Sequence, residues 1–312
     1  DGNGIGDFYY TPPTGYLALC TQNLPDPAVI PSEHFNTVLY TGNGSTQSIT
    51  GVGFQPDFTW IKNRSTAGNG TVVQDVVRGS FVNGDHKVLI TNNTNAEYTQ
   101  AAFNDLYGSV TSLDSDGFTV DDGSNPNYDS INGSAQTYVA WNWKANGTGA
   151  SNTNGTITST VSANVDAGFS IVSYTANGVN GATIGHGLSS TPEMIIVKGR
   201  DNSTRRWAVY HKTIGNTGGL YLEATGATLT SANLWNNTSP TSSVFSVGLG
   251  GNLNTNTEDY IAYAFHSVDG YSKVGSYTGN GSSDGTFVYT GFRPAYVMGK
   301  KTNAADDWFV YD

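Results

Sequence analysis

Short runs of alternating apolar and polar residues, separated by turns rich in Gly, Asn and Ser, recur along the whole chain. Three of these runs begin at a proline and end at a lysine, at residues 56–62, 192–198 and 294–300. Large apolar residues lie two and four positions after each proline, so they share one face of a strand that the proline opens. We expect the lysine to carry its charge into solvent at the end of each strand.

The three runs belong to a longer repeat. A predicted strand and turn precede them, at residues 35–44, 169–178 and 271–281, and a short strand follows each one. The first two copies continue into a further run, at residues 138–143 and 260–265, that is apolar on both faces. A strand with two apolar faces is covered on both sides, so we expect these runs to be central in their sheets. The third copy stops before this run.

These patterns predict an all-β protein of tandem antiparallel β-sandwich domains, of jelly-roll or immunoglobulin-like type, with two complete domains and one incomplete. The complete repeats are assigned to residues 31–148 and 168–268, and a half repeat to 269–312, which we expect a partner or a further stretch of chain to complete. The polar stretch 149–167 is predicted to be a linker, with an edge strand as the alternative. Residues 1–30 match neither half of the repeat and are expected to be a donor strand or the end of a preceding domain.

Composition agrees with strands and disfavours several partners. Only 12% of the 312 residues are charged, which is unlike the salt-bridged surfaces of helical bundles. A formal net charge of -11 would repel a phosphate backbone, so nucleic-acid binding is not expected. No apolar run is long enough to span a bilayer, so membrane insertion is not expected either. Cys20 is the single cysteine, which excludes an intrachain disulfide.

The chain resembles a family of repeated β-rich domains in predicted tail-fibre, tail-associated and other virion proteins of phages and prophages. The resemblance lies in residues 39–44, 51–62 and 138–144 and is closest in the first copy. Residues 6–25 are similar to the carboxyl end of the SPRY-like, lectin-type jelly-roll domain that precedes such repeats. The resemblance implies a structural role outside the cell or on the virion surface, and no defined catalytic site.

No catalytic constellation stands out, so the chain is not expected to be an enzyme. Its five histidines are scattered, and no nucleophile elbow, Walker loop or zinc-binding helix is present in the sequence. Asp1, Asn3 and Asp7 place oxygen ligands at spaced positions among glycines, which makes this loop a candidate calcium site. The alternative is a polar start of the chain that binds nothing. No other cofactor is predicted.

Two kinds of residue are candidates for contact with or modification by sugars. Trp235 lies in a polar run, whereas the other tryptophans fall in predicted strands, so Trp235 is the candidate platform for stacking on a glycan. The candidate N-glycosylation sites are Asn43, Asn63, Asn69, Asn132, Asn146, Asn154, Asn202, Asn236 and Asn280.

The offset between the repeat and the chain gives the first functional hypothesis. A half repeat leaves an unpaired edge and an open apolar face, which we expect a donated strand to cover. The protein is then a structural subunit of an extracellular or phage-associated fibre or filament, a homopolymer assembled head to tail. The candidate assembly residues are Phe8, Tyr9, Tyr10, Tyr16, Leu17 and Leu19 in the donated strand, and Tyr296, Met298, Trp308 and Val310 in the open face.

The second hypothesis is a lectin-like tail or adhesion module that binds host or environmental surface glycans. Its basis is that loops at the ends of jelly rolls and sandwiches carry such sites.

Overall fold

The computed structural model describes residues 1–18, 20–23, 29–79, 81, 86–99, 106–125 and 129–312. Over these residues the protein is all-β, as predicted, with several antiparallel sheets. The helical elements whose full bounds fall in these residues are two short 3-10 turns, Thr21–Asn23 and Pro31–Glu33, and one α-helix, Ala232–Trp235, named α1; residues 106–107 are helical as well.

The strands of the first copy are Phe35–Thr41 (β1), Gln47–Thr50 (β2), Phe58–Asn63 (β3), Val72–Asp75 (β4), Leu89–Ile90 (β5), Ser109–Asp114 (β6), Gly117–Asp121 (β7) and Thr137–Trp143 (β8). Those that follow, up to the end of the second copy, are Ala150–Asn152 (β9), Ser159–Asn164 (β10), Phe169–Thr175 (β11), Ala182–Gly185 (β12), Met194–Gly199 (β13), Ala208–His211 (β14), Gly218–Tyr221 (β15), Leu229–Thr230 (β16), Val244–Val247 (β17) and Asp259–Phe265 (β18). The third copy has Val297–Lys300 (β19) and Trp308–Tyr311 (β20).

The first two copies build the same sheet. The order β1-β8-β3-β4-β5 in copy 1 is matched by β11-β18-β13-β14-β15 in copy 2, where β16, β10 and β9 extend it to eight strands. The predicted central position of β8 and β18 is confirmed, because each lies between two partners and is buried along most of its length. The registers also match: Trp60 pairs with Trp141 in copy 1, and Ile196 pairs with Tyr263 in copy 2.

One face of each sheet is covered by strands of the same copy. In copy 1 this cover is the sheet β2-β7-β6, and in copy 2 it is the pair β12-β17. Phe118 and Val120 of β7 are buried against Ile61 and Tyr138, while Phe245 and Val247 of β17 are buried with their counterparts in copy 2. Two apolar cores result, to which the described residues contribute 14 and 20 buried side chains.

The predicted linker 149–167 is wrong, and its alternative, an edge strand, is what the structure contains. β10 pairs with β11 along six residues, and β9 pairs with β10. Val161 and Ser162 are buried in the process. The stretch is polar because β9 lies at an edge of the sheet, where outward side chains meet water.

The opposite faces of the sheets meet in a third core that the copies share. Phe58, Trp141 and Trp143 of copy 1 pack with Phe169 and Tyr263 of copy 2, and the rings of Phe58 and Tyr263 have centroids 4.6 Å apart. The hairpin β19–β20 packs on the same core. The repeats are therefore not independent domains, since each depends on its neighbours to bury one face of its sheet.

The expected outward lysine is wrong for copy 2. Lys198 is completely buried, and its ammonium donates to the carbonyl oxygens of Thr94 at 3.2 Å and Gly199 at 2.7 Å. Burial lowers the pKa of Lys198 to about 8. The strand ends at the junction with copy 1 rather than in water, so the cation is held by backbone carbonyls of both copies.

This burial makes the junction sensitive to alkaline pH. Between pH 8 and 10 the unfolded chain keeps its lysine proton while folded Lys198 loses it, so stability should rise with pH in this window. We predict that the free energy of unfolding of the wild type rises relative to Lys198→Met by up to about 1 kcal/mol per pH unit. Urea unfolding of both proteins at pH 7.5, 8.5 and 9.5 measures it. A constant difference would contradict the prediction.

Candidate assembly site

The contact between copies 1 and 2 is repeated between copies 2 and 3. The indole of Trp207 donates to the carbonyl of Ile90 in β5 at 3.0 Å, and that of Trp308 donates to the carbonyl of Tyr221 in β15 at 3.1 Å. Trp207 and Trp308 occupy the same repeat position, as do Ile90 and Tyr221. The same relation thus places copy 2 on copy 1 and copy 3 on copy 2.

Lysine contacts follow the same rule. Lys300 donates to the carbonyl of Thr225 at 3.1 Å, just as Lys198 donates to that of Thr94. Backbone bonds beside them repeat too, from the amide of Glu97 to the carbonyl of Arg200 and from that of Thr228 to that of Thr302.

One further pair of contacts closes the three copies into a ring. The hydroxyl of Tyr263 in copy 2 donates to the carboxylate of Asp75 in copy 1 at 2.7 Å. At the equivalent positions, the indole of Trp141 in copy 1 donates to the carboxylate of Asp312 in copy 3 at 2.9 Å. A linear row of copies would keep the first and third apart, so this contact requires a cyclic arrangement.

The ring corrects the prediction about the open face. The inward side chains Tyr296, Met298, Trp308 and Val310 are already packed on the shared core by copies 1 and 2. The ring of Tyr296 lies 5.6 Å from those of Phe35 and Trp143, measured between centroids. The sequence did not show that the copies would fold back on one another, so it assigned these residues to the wrong side of the hairpin.

The uncovered face is the opposite one. Val297, Phe309 and Tyr311 are 47%, 44% and 68% exposed. Their counterparts in copy 2, Ile195, Ala208 and Tyr210, are 0%, 0% and 5% exposed because the second sheet of that copy covers them. None of these three residues was predicted from the sequence, although their apolar character and their alternation with the inward set were a usable signal.

The edge of β19 is also without its partner. β3 lies between β4 and β8, and β13 lies between β14 and β18. Within the described residues β19 pairs with β20 alone, and residues 269–312 contain no counterpart of β8 or β18.

The predicted first strand of copy 3, residues 271–277, is not formed. In copies 1 and 2 this strand pairs with β8 or β18, so without that partner it has no ladder to join. Tyr40 stacks on Tyr138, and Tyr174 stacks on Tyr260, with centroids 4.9 and 5.3 Å apart. The counterpart Tyr277 is exposed instead, as are Phe287, Val288 and Tyr289 further on.

The amino-terminal candidates form a second exposed apolar surface. Phe8, Tyr9, Tyr10, Tyr16 and Leu17 are exposed, and residues 8–18 contain no strand. A strand was predicted here, and it is absent from the single chain for the same reason as in copy 3, since nothing pairs with it. Leu19 lies outside the described residues.

The candidate calcium loop is organised by amide donors. The carboxylate of Asp1 accepts from the backbone amides of Asn3, Ile5 and Ala18 and from the side chain of Asn23, at 2.6–3.0 Å. Asp7 is exposed and does not join this cluster. Both carboxylate oxygens of Asp1, which a calcium ion would need, are occupied by these donors. Because Asp7 also lies apart, the structure does not bring the three predicted ligands together.

The sugar-related candidates change most. Trp235 is 1% exposed, because its polar run forms α1, capped by Ser231, and turns the indole against Tyr210. The prediction of a stacking platform there is wrong. Asn63, Asn69 and Asn132 are buried with their amides in hydrogen bonds, so they are closed to glycosylation in the folded chain. Asn43, Asn146, Asn154 and Asn280 are exposed, and Asn202 and Asn236 are half-buried.

Matched tyrosines test whether the outer face of copy 3 is uncovered in the single chain. We predict that Tyr210→Ala lowers the free energy of unfolding by about 3 kcal/mol, because it opens a cavity in a closed core. Tyr311→Ala at the equivalent position should cost less than about 1 kcal/mol, because that ring is exposed. Denaturant titrations of dilute protein measure both. Equal losses would mean that the face is covered.

The comparisons with known proteins bear on the whole ring. Among the described residues, no helix could cross a membrane, and no group of three or more acidic, histidine or cysteine side chains is arranged to hold a metal ion. No curated protein and no solved structure matches the chain significantly. A family model described as a domain of unknown function, DUF7483, matches residues 30–312 and so spans all three copies. The chain belongs to the DUF7483 family.

Proposed function

We propose that this protein is a structural subunit of an extracellular or phage-associated fibre or filament, in which separate chains join head to tail by strand complementation. In this proposal copies 1 and 2 are complete β-sandwiches and copy 3 is an incomplete one. The observation that carries it is the outer face of β19–β20, exposed at three apolar positions whose counterparts are buried.

Two physical costs favour a partner at this face. Large apolar side chains in contact with water lose the stabilisation that burial supplies, about 25 cal/mol for each Å² covered. The edge of β19, a strand of four residues, additionally presents backbone groups that can pair with another strand. A second chain removes both costs at once.

The exposed amino-terminal segment supplies the complementary half of the contact. The segment precedes copy 1, whereas the hairpin belongs to copy 3. A contact between the segment of one chain and the hairpin of another chain is therefore heterologous. Such a contact leaves one donor and one acceptor free at the ends of every assembly and therefore propagates. The glycan-binding alternative, which rests on analogy with other sandwich loops, is left without its candidate contact residue, since Trp235 is buried.

The mass distribution of the 312-residue chain tests the proposal. We predict that the wild type forms elongated polymers that grow with concentration, and that Tyr311→Lys shifts them toward monomer by placing a charge in the contact. Leu39→Lys is the matched control, because Leu39 is a similarly exposed apolar residue on a strand of copy 1. Sedimentation velocity and negative-stain imaging measure the outcome.

A wild type that stays monomeric at every concentration would contradict the proposal. So would loss of polymers to the same extent in Leu39→Lys and Tyr311→Lys.

A further inference from the structure

Residues 269–312 contain no counterpart of β8 and β18, and these two strands share a recognisable sequence. β8 contains Tyr138-Val139-Ala140-Trp141-Asn142, and β18 contains Tyr260-Ile261-Ala262-Tyr263-Ala264. Both follow one order, which is tyrosine, aliphatic residue, alanine, large residue and smaller residue. Residues 16–20 at the amino terminus, Tyr16-Leu17-Ala18-Leu19-Cys20, follow the same order.

From this match we infer that residues 16–20 of a second chain form a strand antiparallel to β19 of copy 3. Cys20 of that chain then lies directly opposite Val297. The inference rests on the proposed function and specifies its contact. The register comes from copies 1 and 2, where Thr59 pairs with Asn142 and Ile195 pairs with Ala264. Val297 occupies the position of Thr59 and Ile195, and Cys20 that of Asn142 and Ala264.

Exposure of the segment agrees with this assignment. Tyr16 and Leu17 are 70% and 49% exposed in the single chain. The corresponding residues of β8 and β18 are at most 4% exposed. In the inferred register Leu17 would face the shared core, while Tyr16 would lie on the outer face opposite Tyr277. That contact gives Tyr277 the ring partner that Tyr40 and Tyr174 have.

The one position at which the segment departs from the pattern fits its surroundings. Trp141 and Tyr263 each donate to a carboxylate, of Asp312 and Asp75, on the next copy of the ring. Leu19 has no donor, but the residue that it would meet on copy 2 is His211, which occupies the position of the two aspartates. His211 already shares a hydrogen bond with Thr213. A leucine there leaves no carboxylate without a donor.

A donated strand must be released from its own chain first. In the single chain the amide of Ala18 donates to Asp1, and its carbonyl accepts from Asn23. These few bonds at an exposed loop are weak compared with a full strand ladder, so exchange into β19 of a neighbour is favourable.

Cys20, the single cysteine of the 312 residues, allows a direct test in the whole 312-residue chain. Directly paired antiparallel residues have Cα atoms about 5 Å apart, within the range of a disulfide. On a denaturing, non-reducing gel, Val297→Cys should therefore run as a monomer before oxidation and as a ladder of covalent multimers after it. Mass spectrometry of the multimers should find a peptide that links residues 20 and 297. Leu39→Cys is the matched control, because Leu39 is an exposed apolar residue on a strand of copy 1 and has no place in the inferred contact.

Each outcome decides the inference. A 20–297 link in covalent multimers, with no 20–39 link in the control, supports it. The same link confined to monomers would mean that the segment pairs with β19 of its own chain, which overturns donation between chains. Equal linking in both variants, or none, overturns the register. Sedimentation before oxidation separates the two proposals, since polymers without the 20–297 link would leave the proposed function intact and exclude this strand.

Discussion

Burial of one aromatic core between the inner faces of three sheets is the interaction on which the rest of the structure depends. Phe58, Tyr263 and Tyr296 come from different copies and belong to this single cluster. Because each copy offers the same face, the neighbouring copies meet through the same hydrogen bonds, from Trp207 to Ile90 and from Trp308 to Tyr221. The ring is thus a consequence of the repeat, and the match of one family model to all three copies agrees with a unit of this size.

The shared core covers only one face of each sheet, and the other face must be covered within the copy. Copies 1 and 2 do so with their second sheets. Copy 3 has the inward half of the arrangement and lacks the outward half, so Val297, Phe309 and Tyr311 remain exposed. The missing central strand also explains why residues 271–277 do not form a strand, because a ladder needs both members.

The sequence predicted local structure better than it predicted the relation between copies. Period-two runs located β3, β8, β13 and β18 closely, since alternation records which strands are covered. It failed for Trp235 and Lys198, whose burial comes from a short capped helix and from a neighbouring copy. Polar context indicates exposure only when no distant segment packs against it, and the ring brings such segments together.

The same limit applies to the candidate assembly residues. Residues 269–312 match only the first half of the repeat, but the sequence assigned the open surface to Tyr296 and Trp308, which the ring covers. Only the positions of the other two copies show which side of the hairpin faces water. The amino-terminal segment was singled out by its apolar residues, and its agreement with β8 and β18 becomes meaningful once the register of those strands is known.

Cryo-electron microscopy of assembled protein tests the central claim most directly, because it shows what lies beside β19. The account predicts filaments whose repeating unit is one chain. In them a strand from the neighbouring chain pairs with β19, and the outer face of the hairpin β19–β20 is covered. Isolated rings, or filaments in which that edge and face remain open to solvent, would contradict it.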